Sequence, residues 1–234
     1  MISIKEHALC NQLLRCVGST KGVFQKLLRN DLGVGNYPRI RGQLRSERIY
    51  TFISQAWIAW EIKVRGTNKR RENDSDQLEI KRRQLVGGVV TFIPGVTGRM
   101  ERWMKWVFHG ETVDPQLSSI LTTKDEAWFS VSKVRYLRKY KVTSDKRVLA
   151  LPLNEWPDNG CNVELTELIA PGGQVWWTLG LESFGEADAT IEDNLWLSAN
   201  NFFTETGLGM FEEKDSYGYP KWLDVLMPMQ SLSS

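Results

Sequence analysis

Glu61, Lys63 and Arg65 stand at every second position near the end of AWIAWEIKVRG, residues 56–66. On an extended chain that spacing puts all three side chains on one face. The same period recurs downstream. Lys133 and Arg135, continuing to Lys139 and Lys141, share a face of AWFSVSKVRYLRKYKV. Glu164 is followed by Glu167 in CNVELTEL, and Glu182 interrupts VWWTLGLESFG. If these faces converge on a cavity, closely spaced cations hold an anion, and the carboxylates either balance them or hold a divalent metal. If they do not converge, they form the wet face of an antiparallel sheet, with Lys and Glu paired across strands.

The composition permits either reading. The chain has 234 residues, 41% hydrophobic and 25% charged, which fits a packed globular protein of one large domain or two small ones. A net charge of +2 is too small to imply a polyanionic partner by itself. The ten tryptophans are large packing units, and some are candidates for stacking on a ligand. Cys10, Cys16 and Cys161 are odd in number and form no CxxC pair, so they give no disulfide framework. His7 and His109 are the only histidines, which argues against a His/Cys zinc site and against a Ser/His/Asp triad. No apolar run approaches the length of a membrane span, and MISIKEHALCNQLLRC lacks the core of a signal peptide. A cytoplasmic location without membrane contact is the expectation.

The elements that must position the charged residues follow from periodicity. Ile4, Leu9, Leu13 and Cys16 have near-helical spacing, and a second helix is expected from Ser19 or Thr20 through Leu28. GVGNYP ends that region, and from Tyr50 the period becomes two. TGRMERWMKWVFHG reads as a helix with Met100, Trp103, Met104 and Val107 on one side, Thr97 as cap and Gly110 as its end. Asp114–Pro115 resembles another helix start. Residues 127–184 read as an antiparallel meander with PDNG and APGGQ as turns. A last helix carries Ile191, Leu195, Ala199 and Phe202 inward, with Thr190 and Asp193 as a capping box and Gly207 as its end. YGYPKWL reads as a docked irregular segment. The expected fold is α+β: an antiparallel sheet or incomplete barrel with N-terminal helices and a C-terminal helix. Residues 1–48 form the helical portion, 49–207 the core and 208–234 a docked tail, within one compact domain.

The order E-x-K, then K-x-R, then late strands bearing Glu resembles the CYTH, or triphosphate tunnel, family over roughly residues 56–205. That resemblance implies an antiparallel barrel with inward Lys and Arg for a polyphosphate chain and inward Glu for Mg²⁺ or Mn²⁺. It assigns Lys63, Lys133 and Arg135 to the anion and Glu61, Glu164 and Glu182 to the metal; Arg65, on the same strand face as Lys63, is a further anion candidate. The family's N-terminal motif is E-x-E-x-K, and its first Glu position is Ala59 here. Gly180 stands where a late paired Glu is expected. Both departures remove metal ligands, which implies phosphate binding that persists without metal and with hydrolysis left open.

Two other classes use the same residues. An apolar strand ending in E-x-K is also half of a metal-dependent nuclease signature, with Glu61 on the metal, Lys63 on the attacking water, and Asp31 or Glu47 as the upstream acid. Glu79 and Lys81 repeat the pattern. Alternatively, the basic segments 39–48, 63–71, 81–83 and 133–147 contact nucleic-acid phosphates without catalysis, or the exposed aromatics serve a protein partner in an assembly.

Overall fold

The computed structural model describes the backbone of residues 7–16, 45–53, 59–65, 77–109, 128–170 and 173–222, except 209 and 220. Side chains are described for Glu61, for 79–107 except 85 and 86, and for 131 onward within those ranges. The strands are β1 (His7–Cys16), β2 (Arg45–Ile53), β3 (Ala59–Arg65), β4 (Gln77–Ile93), β5 (Val96–His109), β6 (Trp128–Val142), β7 (Val148–Leu151), β8 (Gly160–Ile169) and β9 (Val175–Phe184). All their ladders are antiparallel, in the order β2-β3-β4-β5-β1-β9-β8-β6-β7. β2 also pairs with β6, from Arg45 opposite Lys133 to Tyr50 opposite Trp128, so the row turns back on itself. The other end of β6 pairs with β7 instead. Among the described residues one α-helix, α1 (Asp188–Thr206), packs outside the strands. The architecture is α+β with an antiparallel sheet.

Two helices expected from sequence are strands. Residues 7–16 form β1, hydrogen-bonded between β5 and β9, so this stretch of the expected helical portion belongs to the sheet. Residues 96–109 form β5. Met100, Trp103, Met104 and Val107 do fit a helical stripe, but Glu101, Trp103 and Lys105 fit period two equally. Pairing on both sides, with β4 and with β1, favours the extended form. The expected helix from Ser19 or Thr20 and the expected start at Asp114–Pro115 lie outside the described residues. α1 begins before Thr190, with Ala187 as N-cap and no side-chain capping bond. Asp193 instead accepts a hydrogen bond from Lys146 at 3.0 Å. Gly207 ends the helix as expected, in the left-handed region at φ 62°.

The outward faces of β6, β8 and β9 form the main apolar core with α1. Tyr140, Cys161, Val163, Leu165, Leu179 and Leu181 pack with Ile191, Leu195, Ala199, Phe202 and Phe203. The α1 residues recur at helical spacing, so one stripe of the helix is dry. Asn194, buried in that stripe, donates to Asn159 Oδ1 at 2.7 Å and to the Phe184 carbonyl at 2.8 Å.

The β4–β5 hairpin is longer than the wall it contributes. Its ladder shifts register between Arg83 and Leu85, between Val86 and Val89, and between Thr91 and Ile93. Such irregularities bend a strand and change which face a residue occupies. Before the shifts, β4 presents Glu79 and Lys81 to the interior. Beyond the first two, Phe92 and Val96 belong to the α1 core, with the Phe92 and Phe203 rings 6.0 Å apart.

Candidate functional site: a charged interior cavity

A cavity of about 280 Å³ lies inside the row of strands. Its wall includes Glu61 of β3, Glu79 and Lys81 of β4, Glu101, Trp103 and Lys105 of β5, Arg135 of β6, Glu164 of β8 and Glu182 of β9. Period two explains how the sequence puts them there. Register sets Glu61 opposite Lys81, and Lys81 opposite Lys105, in a row across three strands. On the other side, four rows cross β6, β8 and β9: Lys139–Asn162–Glu182, Leu137–Glu164–Gly180, Arg135–Thr166–Thr178 and Lys133–Leu168–Trp176. Each row sits two residues, roughly 6.6 Å, from the next.

The charges are organised as pairs. Glu79, 1% exposed, lies 3.0 Å from Lys105 Nζ and 3.7 Å from Lys81 Nζ. Glu101 accepts from Arg83 Nη1 at 2.7 Å and from Trp103 Nε1 at 2.9 Å. Glu164 lies 3.5 Å from Arg135 Nε and accepts from Thr166 Oγ1 at 2.9 Å. Opposite charges are the physical condition for burying such groups, since an unpaired charge away from water is strongly unfavourable.

The two ends of the interior differ. At one end Trp156, 77% exposed, lines the cavity. Lys139 holds its loop: the Lys139 ammonium donates to the carbonyls of Leu153 at 2.6 Å and Glu155 at 2.8 Å, and lies 3.2 Å from the Trp156 ring centre. Burial lowers the Lys139 pKa from its ordinary value. At the other end Val131, Leu168, Ala170 and Trp176 pack with Tyr219 and Trp222 from the chain beyond α1.

Of the expected site residues, the structure brings Glu61, Arg135, Glu164 and Glu182 to one cavity. Lys133 lies deeper, fully buried, with its Nζ 4.2 Å from the Tyr219 ring centre. Lys63 and Arg65 hold β3 register positions opposite Glu79 and Gln77, and their side chains lie outside the described residues. Reading from sequence missed Glu79, Lys81, Glu101 and Lys105 as site residues. The signals were the repeated E-x-K in β4 and the E-x-W-x-K alternation in β5, the latter hidden by the helical reading. The positions vacant of acid at Ala59 and Gly180 therefore do not leave the cavity poor in carboxylates: among the described residues, five Glu and three Lys or Arg line it. Among the described residues, no three Asp, Glu, His or Cys side chains are grouped so as to hold a metal ion by themselves.

No protein-family model matches the chain. No curated protein matches it either. Among solved structures, a conserved hypothetical protein from Pyrococcus furiosus is similar at 12% identity and a TM-score of 0.45, covering 91% of this chain and 98% of its own. The PH1012 protein from Pyrococcus horikoshii OT3 is similar at 13% identity and a TM-score of 0.43, covering 89% and 94%. Likeness at that level carries no argument about fold or function. Among the described residues, no helix is long and apolar enough to cross a membrane.

Proposed function

We propose that the cavity binds a phosphate-rich anion of triphosphate size together with Mg²⁺ or Mn²⁺. The observation that carries this reading is that Lys81, Lys105 and Arg135 share one recessed cavity with Glu61 and Glu182. The cations provide charge-assisted donors for phosphate oxygens. Among the described residues the wall has more carboxylates than cations, so a bare polyanion would meet net repulsion from them, and a divalent cation removes that conflict. The acids are spread over five strands, so such a cation would draw part of its oxygen shell from the ligand itself. Metal-supported binding of this kind differs from the metal-independent binding that Ala59 and Gly180 imply, and titration with and without the metal separates the two.

The nuclease reading fits the geometry less well. Glu61 is 4% exposed and faces an interior cavity too small for a duplex. Asp31 lies outside the described residues, as does the side chain of Glu47. Titration calorimetry with tripolyphosphate tests the proposal. Binding is expected with Mg²⁺ or Mn²⁺ and is expected to be lost on chelation. Phosphate release in the metal-loaded protein would add hydrolysis. Equal affinity with and without metal would refute the shared-cation arrangement, and nicking of plasmid DNA that disappears in Glu61→Ala would favour the nuclease.

A further inference from the structure

The segment beyond α1 enters the interior of the sheet. After α1 it is fastened to the β4–β5 hairpin: Phe211 N donates to the Gly95 carbonyl at 3.0 Å, Thr97 N to the Phe211 carbonyl at 2.8 Å, and Arg99 N to Ser216 Oγ at 2.8 Å. A helical turn follows, with Trp222 N donating to the Gly218 carbonyl at 3.2 Å. Tyr219 and Trp222 then pack on Val131, Leu168 and Trp176. Strand parity puts those three on the same faces as Arg135, Glu164 and Gly180, the cavity-facing ones. Trp222 is fully buried there, edge-on to Trp176 with ring centres 6.4 Å apart. Tyr219 lies between the cavity, which it lines, and Lys133, whose ammonium it covers.

We infer that Tyr219, anchored by Trp222, is a specificity-determining plug that makes the cavity blind and sets the length of polyanion it accepts. A row of strands that turns back on itself is open at both ends unless something fills one of them. Here the filled end also contains a cation, Lys133, one row beyond Arg135. A chain of phosphates entering past Trp156 reaches Arg135 and stops at the Tyr219 ring. With the ring removed, the chain continues to Lys133, and longer chains gain a contact that short ones do not use.

The ligand part of this inference rests on the polyanion reading, so the test has two arms. The first measures reaction of Lys133 with a water-soluble amine reagent, by mass spectrometry, in the wild type, Tyr219→Phe and Tyr219→Ala. Lys133 is expected to be protected in the wild type and Tyr219→Phe, and to react in Tyr219→Ala. Equal labelling in all three would overturn the plug whatever the cavity binds. The second compares long-chain polyphosphate with tripolyphosphate, both with Mg²⁺. Tyr219→Ala is expected to shift the preference toward the long chain by roughly ten-fold, the value of one added charge-assisted contact. An unchanged preference with Lys133 unmasked would overturn the length-setting role. Failure of the wild type to bind either chain, with Lys133 protected and then unmasked, would refute the polyanion reading and uphold the closure. If Tyr219→Ala does not fold, Tyr219→Leu replaces it in both arms.

Discussion

The two faces of β6, β8 and β9 are built from alternate residues of the same segments, yet they do opposite things. The outward face is apolar and covered by α1. The inward face carries Arg135, Glu164, Thr166, Thr178 and Glu182 around a cavity. In an open sheet with one wet face, the polar side is the solvated one. Here part of the polar wall is enclosed as thoroughly as the apolar core, with Thr166 and Thr178 at 0% and 2% exposure. On the facing strands Glu61 and Glu79, 4% and 1% exposed, are charges that solvation of a surface does not account for. The outward face supplies cohesion, and the inward face spends part of it holding charges in place.

The sharpest way to break that comparison is to exchange the consequences of mutation on the two faces. Phe203→Ala, on the helix side, is expected to lower unfolding free energy by about 3–5 kcal/mol, since it opens a cavity in a fully buried aromatic cluster. Chemical denaturation measures this, and tripolyphosphate affinity of the folded fraction should not change. A loss below about 1 kcal/mol would mean the outer face is not the main source of stability.

Arg135→Ala probes the inner face. The Arg135 and Glu164 side chains are 26% and 32% exposed, so their pairing contributes little to folding, about 1 kcal/mol or less. Metal-supported tripolyphosphate affinity is expected to fall roughly ten-fold or more in calorimetry, from loss of a charge-assisted contact. A large stability loss with unchanged affinity would assign Arg135 to packing alone.

The smallest effect sharpens the comparison at the Trp156 end. Burial lowers the Lys139 pKa, so between that lowered value and the ordinary lysine value the unfolded chain binds more protons than the folded one. Stability from this group then rises with pH through that window, and the burial cost is fully present only below it. Wild type is expected to gain modestly relative to Lys139→Met as pH climbs toward about 10, read as the difference between their denaturation midpoints. Parallel curves would mean that the two carbonyls and the Trp156 ring fully offset the desolvation.

How much of this was legible follows from what each signal depends on. Strands β6, β8 and β9 announced themselves because their alternation runs unbroken and their turns are short. Spacing marked the charged faces, and the family resemblance picked Glu61, Arg135, Glu164 and Glu182 out of them. β1 and β5 were misread because Leu9 with Leu13, and Met100 with Met104 and Val107, satisfy a helical period as well, and only partners distant in sequence decide between them. Glu79 and Glu101 carried the local signals E-x-K and E-x-W-x-K, but which cavity those faces line depends on the same distant partners. YGYPKWL was read as docked, but its place beneath Lys133 depends on a closure that the segment's own residues do not encode.

The register shifts in the β4–β5 hairpin have a consequence for how the molecule opens. One continuous pair of strands forms a wall of the charged cavity and then part of the cover over α1. Amide protons along β4 and β5 should therefore exchange as one cooperative unit, rather than splitting into a slow helix-side group and a fast cavity-side group. Detachment of α1 would then release the distal half of the hairpin and, through its unbroken backbone, loosen Glu79 and Lys81. The cavity's shape is accordingly held in place from outside it.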